Sequence, residues 1–136
     1  GVHSELTAIL QYIYHVLYFE EEGKKDTAGT LLKISIAEMR HVKILGELLI
    51  KLGGDPIYAT RSIFDIRFFN AGYVTYSKTP KKMLLDDITS EMLAISEYDE
   101  LIKKTESEKV AAVLARIRLD EELHVTALKK ELKELS

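Results

Sequence analysis

Two stretches of this sequence decide its fold, Glu38-Met39-Arg40-His41 and Asp120-Glu121-Glu122-Leu123-His124. Each places a glutamate and a histidine three residues apart inside a run of apolar residues that recur at steps of three and four. The first run reads Leu31, Ile34, Glu38, His41, Leu45, Leu48 and Leu52, and the second reads Val110, Val113, Ile117, Glu121, His124, Leu128 and Leu135. Such steps keep every member on one face of an α-helix. We therefore predict two long helices whose core-facing stripes each carry a Glu-x-x-His pair.

Two further segments carry one glutamate each in an otherwise apolar stripe. They read Glu5, Ile9, Tyr12, Val16 and Phe19, and Leu84, Ile88, Glu91, Ile95, Tyr98 and Ile102. In an antiparallel hairpin, residues equidistant from the turn lie at the same height. Glu5 and Glu38 are equidistant from a first predicted turn, as are Glu91 and Glu121 from a second. Each hairpin is thus expected to place a lone glutamate opposite a Glu-x-x-His pair.

Local start and stop signals delimit the first hairpin, residues 1–53. Its first helix is predicted from about Val2 to Glu22, with a stop at Gly23. Its second helix is predicted to begin near the capping residues of Asp26-Thr27. It should end at Gly53-Gly54-Asp55-Pro56, because glycine and proline together are a strong stop signal.

The second hairpin is predicted over residues 79–136. Thr79 is suited to cap its first helix, with Pro80 at the first helical position, and the helical pattern fades around Lys104. Thr105-Glu106-Ser107-Glu108 reads as a capping box that opens the last helix. The predicted fold is therefore all-α, a single four-helix bundle of two antiparallel hairpins.

The two hairpins are joined by a long connection, residues 54–78. It is rich in apolar and aromatic side chains, namely Ile63, Phe64, Ile66, Phe68, Phe69, Tyr73, Val74 and Tyr76. A connection of this length and composition is not expected to be a solvated linker. We predict a crossover that runs the length of the bundle and packs on it, with a short helix or a dimer contact as further interpretations.

Composition excludes several classes of function. The 136 residues suit one domain, and the net charge of −3 with interspersed signs does not favour nucleic acid or an anionic membrane. No apolar run approaches the roughly 20 residues that span a bilayer, and residues 1–5 show no signal peptide. The absence of cysteine excludes disulfides, thiolate chemistry and iron–sulfur clusters, and a cytoplasmic location is expected.

Four glutamates and two histidines in one core layer require neutralisation. Burying an unpaired charge costs several kcal/mol, and the carboxylates would repel one another. Two divalent cations would balance four carboxylates, with the histidines as neutral ligands. The predicted metal ligands are Glu5, Glu38, His41, Glu91, Glu121 and His124. Oxygen and nitrogen donors suit iron or manganese, although ligand type alone leaves zinc open.

These residues also resemble a known group of proteins. Glu5-Leu6-Thr7-Ala8-Ile9-Leu10-Gln11-Tyr12 and the two Glu-x-x-His segments resemble the ligand motifs of bacterioferritins. Glu91 with Ala94-Ile95 and Tyr98 resembles the third-helix pattern of the ferritin-like superfamily, whose di-iron and di-manganese members share this ligand set. The resemblance covers the four helices but not the crossover. It implies that Glu38 and Glu121 bridge two metals, with Glu5 and His41, and Glu91 and His124, as terminal ligands.

The resemblance leaves the subfamily open among bacterioferritin, rubrerythrin and manganese-catalase types. The chain ends twelve residues after His124, which leaves no room for the extra helix of shell-forming bacterioferritins. Rubrerythrins usually carry a cysteine-ligated iron domain, and a second glutamate where this chain has Ala94. Met39 stands where bacterioferritins place a haem-ligating methionine, but a core or interface methionine is the simpler interpretation and haem is not expected.

The leading functional interpretation is a di-metal oxidoreductase that acts on hydrogen peroxide or dioxygen, as a peroxidase, catalase or ferroxidase. A peroxidase would need an external electron donor. A homodimer or larger homo-oligomer is expected. Tyr12 is predicted either to hydrogen-bond a ligand carboxylate or simply to pack, and His3 and His15 are expected outside the site. The alternatives are iron storage of the bacterioferritin type and a non-catalytic helical interaction bundle.

Overall fold

The computed structural model describes residues 5–56, 59–61, 66–68 and 71–135. It confirms the four-helix architecture, and the helices are α1 (Glu5–Glu21), α2 (Lys25–Lys51), α3 (Pro80–Lys104) and α4 (Glu108–Leu135). Helix α1 packs mainly on α2, and α3 mainly on α4, so the molecule consists of two paired hairpins. Within the described residues, no helix combines the length and the apolarity that crossing a bilayer requires.

Two glycines end helices as predicted. Gly23 and Gly53 have φ angles of 76° and 83°, in the left-handed region that costs other residues free energy. At the first, the Lys24 N–H donates to the Phe19 carbonyl at 2.9 Å and Gly23 N–H donates to Glu20 at 3.0 Å. This is the Schellman arrangement, and the same pattern of hydrogen bonds recurs at Gly53.

The predicted helix start is confirmed for α3 and corrected for α2 and α4, whereas the start predicted for α1 near Val2 lies outside the described residues. Thr79 caps α3 by accepting a hydrogen bond from the Lys82 N–H at 3.3 Å. The predicted caps of α2 were wrong, because the tight turn after α1 starts the helix at Lys25 and places Asp26-Thr27 inside its first turn. The capping box was also placed too early. Ser107 accepts from the Val110 N–H at 3.2 Å and is the residue that caps α4.

The core consists of two apolar clusters. The larger is built from residues of all four helices, with Tyr12, Val16, Phe19, Ala28, Leu31, Ile34, Met83, Leu84, Ile88 and Leu128 fully or largely buried. The smaller is built around Tyr98, Leu114 and Ile117. Along α2, α3 and α4, the predicted ligands fall between the residues of one cluster and those of the other. A polar layer therefore lies between two apolar regions.

The predicted stripes are confirmed near the polar layer but not at the far end of α2. Leu31 and Ile34 are buried, whereas Leu45 and Leu48 are only half-buried and Leu52 is 65% exposed. Within the described residues, α1 begins at Glu5, level with Glu38, so it does not cover the later turns of α2. On α4, Ile117 and Leu128 are buried as predicted, but near the start of the helix Leu114 is buried whereas the predicted Val113 is only half-buried.

The crossover contains two strands that the sequence did not suggest, together with a short helix of the kind that was considered. Strands β1 (Ala59–Arg61) and β2 (Ile66–Phe68) pair in an antiparallel register, and a 3₁₀ turn follows at Ala71–Tyr73. The end of the crossover packs on α1, since Val74 is buried and the Thr75 N–H donates to Gln11 at 3.1 Å. The contacts predicted for Ile63, Phe64 and Phe69, and for the side chains of Ile66 and Phe68, lie outside the described residues.

Candidate metal centre

The six residues predicted as metal ligands meet in one layer between the four helices, which forms the candidate metal layer. Their oxygen and nitrogen atoms form two groups, and within each group the ligand atoms all lie within 4.8 Å of one another. The first group is Glu5, Glu38, His41 and Glu121, and the second is Glu38, Glu91, Glu121 and His124. Glu38 and Glu121 belong to both groups, which is the sharing that two bridged ions require.

The carboxylates of this layer are withdrawn from water. Glu38, Glu91 and Glu121 are only 1–2% exposed, and the Glu5 side chain is 12% exposed. Burial raises the pKa of Glu38 to about 8, because a charged carboxylate loses its hydration there. Burial also acts to raise the pKa of Glu121, but the two adjacent imidazoles outweigh it and lower that pKa.

Both histidines direct Nδ1 toward the carboxylates. His41 Nδ1 lies 3.0 Å from Glu38 and 3.1 Å from Glu121, and His124 Nδ1 lies 3.1 Å from Glu38. Burial acts to lower the pKa of both imidazoles. Hydrogen bonds to the glutamates reverse this effect and raise the pKa of His124 to about 9 and that of His41 further. Nδ1 is therefore the atom that each ring offers to a cation.

Two tyrosines hold the terminal glutamates from across the bundle. Tyr12 on α1 donates to Glu91 Oε1 on α3 at 2.6 Å. Reciprocally, Tyr98 on α3 donates to Glu5 Oε1 on α1. The hydrogen bond predicted for Tyr12 is thus present, but its partner belongs to the other hairpin. Each hydroxyl fixes one carboxylate oxygen and leaves the other for a cation.

A carboxylate also supports His41. His41 Nε2 lies 2.9 Å from Asp120 Oδ2, and the other oxygen of Asp120 accepts from Arg116 at 2.7 Å. A carboxylate on Nε2 favours the tautomer with a free electron pair on Nδ1. This contact therefore orients the ring for ligation.

The donor set fits divalent cations. Glu91 Oε2 and Glu121 Oε1 are buried and have no hydrogen-bond partner among the described residues; Glu121 Oε1 approaches His41 Nδ1 at an unsuitable angle. Unpartnered buried carboxylate oxygens cost free energy unless a cation or proton meets them. Four carboxylates and two imidazoles form two groups of donors that are compatible with metal binding, and Glu38 and Glu121 belong to both.

A narrow cavity leads to the carboxylates between α1 and α3. Its volume is about 20 Å³ for the centre of a water-sized molecule, which is enough for one or two such molecules. It is lined by Glu5, Thr7, Ala8, Glu38, Ser90, Glu91, Ala94 and Glu121. Small side chains on both helices, Ala8 and Ala94 among them, leave this space beside the carboxylates.

A second buried polar cluster lies next to this layer. His15 Nδ1 is 2.7 Å from Asp87 Oδ2, and both residues are 0% exposed. Gln11 donates to the other oxygen of Asp87 at 3.0 Å. His15 belongs to neither ligand group, as expected, and its contact with Asp87 links α1 to α3.

The structure also locates the remaining residues considered from the sequence. Met39 is 45% exposed on α2 and belongs to neither ligand group, and His3 lies outside the described residues. Sequence reasoning treated Tyr98 only as core and gave Asp120 no role. A signal for Tyr98 existed, because Glu91 and Tyr98 repeat the seven-residue spacing of Glu5 and Tyr12.

Comparison with known proteins agrees with this geometry. The family model of the ferritin-like domain matches residues 2–136. The chain therefore belongs to the ferritin-like family, with a carboxylate and histidine cluster compatible with metal binding. No curated protein matches the chain significantly.

Proposed function

We propose that this protein is a dinuclear iron or manganese redox protein that acts on hydrogen peroxide or dioxygen. The observation that carries the proposal is the pair of ligand groups that share Glu38 and Glu121. One ion would be held by Glu5, His41 and the shared glutamates, and the other by Glu91, His124 and the same glutamates. Two such ions, when bound, supply electrons in pairs to a small oxidant.

The protein's own residues prepare this chemistry in three ways. Tyr12 and Tyr98 hold the terminal carboxylates in place through hydrogen bonds. The apolar clusters on either side of the layer exclude bulk water, which strengthens electrostatic interactions within it. The cavity between α1 and α3 suits an oxidant of two heavy atoms and excludes larger substrates.

The test begins with elemental analysis of the protein purified from its native host. We expect about two iron or manganese ions per chain, as the ligand set of this class predicts. Peroxide turnover is then measured with and without a reductant. Oxygen release without reductant would identify a catalase, and reductant-dependent turnover a peroxidase. Absence of peroxide turnover and of ferrous oxidation under both iron and manganese loading would overturn the proposal.

A matched pair of variants separates the metal layer from the protein surface. Glu121→Gln removes a shared carboxylate, whereas Glu122→Gln alters the neighbouring exposed residue, which is paired with Arg118. We expect the first variant to lose bound metal and turnover and the second to keep both. Equal metal content in the two variants would contradict the ligand assignment.

The partners follow from the same proposal. A peroxidase needs an electron donor outside these 136 residues, because they contain no cysteine with which to hold an iron–sulfur or rubredoxin-type carrier. A cytoplasmic homodimer or larger homo-oligomer is proposed as the working form. Light scattering tests the assembly: a mass near that of a monomer or dimer excludes a closed storage shell, whereas a shell-sized mass would favour iron storage.

A further inference from the structure

The two halves of the metal layer repeat one pattern. In α1 and again in α3, a terminal glutamate is followed seven residues later by a tyrosine that reaches the other glutamate. In α2 and again in α4, a shared glutamate is followed three residues later by a histidine. In these respects, the ligands around His41 are equivalent to those around His124.

The residue that precedes the shared glutamate breaks the repeat. On α4 it is Asp120, whose carboxylate lies 2.9 Å from Nε2 of His41. On α2 the same position is Ala37, which has no hydrogen-bonding side chain. The ion pairs that His124 forms within the described residues all involve Nδ1. His41 therefore has a carboxylate on its outer nitrogen, and His124 has no matching one.

Burial differs in the same direction. The side chain of His41 is 2% exposed, whereas that of His124 is 10% exposed. A carboxylate on the outer nitrogen fixes the tautomer of a ligand histidine and increases its donor strength. Loss of such a contact typically weakens metal affinity by about 10- to 100-fold. The tyrosine contacts do not offset this difference, because each terminal glutamate has one.

We infer that the two metal positions are unequal and that Asp120 is the positioning residue that makes them so. The Glu5–His41 position fills first and retains its ion. The Glu91–His124 position binds more weakly and exchanges its ion with solution. This inference rests on the proposed dinuclear centre, and it adds that one ion is resident and the other exchangeable.

Stepwise titration with Mn²⁺ tests the inference, with free Mn²⁺ followed by electron paramagnetic resonance. The wild-type protein is expected to bind two ions in steps that differ by about 10-fold or more in affinity. Asp120→Asn should weaken the tighter step by about 10- to 100-fold and leave the weaker one unchanged. Glu122→Gln, at an exposed neighbouring position, is the control and should leave both steps unchanged.

The reverse substitution provides an independent test on the other side. Ala37→Asp offers a carboxylate to His124 and should tighten the weaker step, so that the two steps approach each other. This variant adds the contact rather than removing it. The inference can therefore be tested even if Asp120→Asn fails to fold. Circular dichroism in a chelator verifies that each variant is folded.

The possible outcomes distinguish this inference from the proposed function. Binding of two ions with equal affinity overturns the inference but leaves the dinuclear centre intact. Weakening of both steps to the same extent by Asp120→Asn also overturns it, because that result indicates a general structural role. Failure to bind Mn²⁺ or Fe²⁺ at all overturns the inference together with the proposed function.

Discussion

Two buried polar regions of this molecule lie side by side and differ in how their charges are balanced. In the His15–Asp87 pair, one carboxylate faces one imidazole and accepts a further hydrogen bond from Gln11. In the metal layer, four glutamates face two histidines, and two buried carboxylate oxygens have no partner among the described residues. Burial of ionisable groups alone therefore does not indicate a metal site. His15 Nε2 is also buried without a partner among the described residues, so what distinguishes the metal layer is its excess of carboxylates over imidazoles, with two carboxylate oxygens unpartnered.

The largest effect expected from this difference is stabilisation by metal. Ions that bind only the folded protein add about 4 kcal/mol per site at a free concentration about 1,000-fold above Kd. The excess carboxylates of the layer provide the binding free energy. Thermal unfolding with and without Mn²⁺ measures the effect, and the exposed variant Glu122→Gln should retain it. An unchanged melting temperature at saturating Mn²⁺ would remove the distinction between the two regions.

The next effect concerns the His15–Asp87 pair. Asp87→Ala leaves His15 buried without its partner and should reduce the free energy of unfolding by about 3–5 kcal/mol. The loss should be equal with and without metal, because neither residue belongs to a ligand group. Chemical denaturation measures it.

Two further variants define the origin of that loss. The double variant His15→Leu/Asp87→Leu should regain stability relative to Asp87→Ala, because no buried ionisable group is left without its partner and Gln11 keeps its contact with Ser90. Asp99→Asn is the control on the surface, where the ion pair with Arg118 contributes about 0–1 kcal/mol. A loss from Asp87→Ala no larger than that from Asp99→Asn would show that the buried pair is energetically unimportant.

A pH dependence of metal affinity should follow from the metal layer. With the pKa of His124 raised to about 9 and that of Glu38 to about 8, protons compete with metal at neutral pH. Affinity should rise between pH 6 and pH 9, by up to about 1.4 kcal/mol per pH unit for each proton displaced. Calorimetry in two buffers of different ionisation enthalpy counts the released protons.

The same raised pKa values predict the opposite trend for stability in a chelator. A histidine whose pKa is raised on folding stabilises the fold below its unfolded value near 6.5, and this contribution disappears as the pH rises through about 9. Metal affinity and chelator-state stability should therefore change in opposite directions. Parallel changes would contradict the assignment of the histidines as ligands.

The smallest effect is expected for Glu38→Gln in a chelator. Burial raises the pKa of Glu38 to about 8, so in the absence of metal this carboxyl group is mainly protonated at pH 7. A neutral amide is a close substitute, and we expect the stability to change by less than about 1 kcal/mol. With Mn²⁺, the same variant should lose most of the metal-dependent stabilisation. Comparison of its melting temperatures in chelator and in Mn²⁺ measures both results.

Much of the fold was predictable because helix periodicity is a local property. The steps of three and four predicted which face of each helix is buried, and Gly23 and Gly53 predicted two helix ends. The six residues of the metal layer followed from the same pattern. The predicted start of α2 was wrong because a tight turn, rather than a side-chain cap, determines it. Leu52 was misassigned because α2 ends at Lys51, which leaves Leu52 at the exposed end of the helix.

Periodicity within one helix gives no information about partners on another. Gln11 and His15 lie one turn apart on α1, and Asp87 is on α3, so their buried cluster was not apparent from the sequence. The same holds for Tyr12. A hydrogen bond from its hydroxyl to a carboxylate could be predicted, but the sequence did not show that this carboxylate is Glu91 of the other hairpin. Side-chain pairing across the bundle depends on how the hairpins pack.

The sequence by itself determined the four helices, the buried face of each near the polar layer, and the six ionisable residues that meet there. These follow from residue type and spacing along a helix of known geometry. Only the tertiary structure decided that Glu38 and Glu121 are shared by two ligand groups and that Asp120 supports His41 while Ala37 leaves His124 without an equivalent. Those relations are distances between helices, and they depend on how the two hairpins are packed.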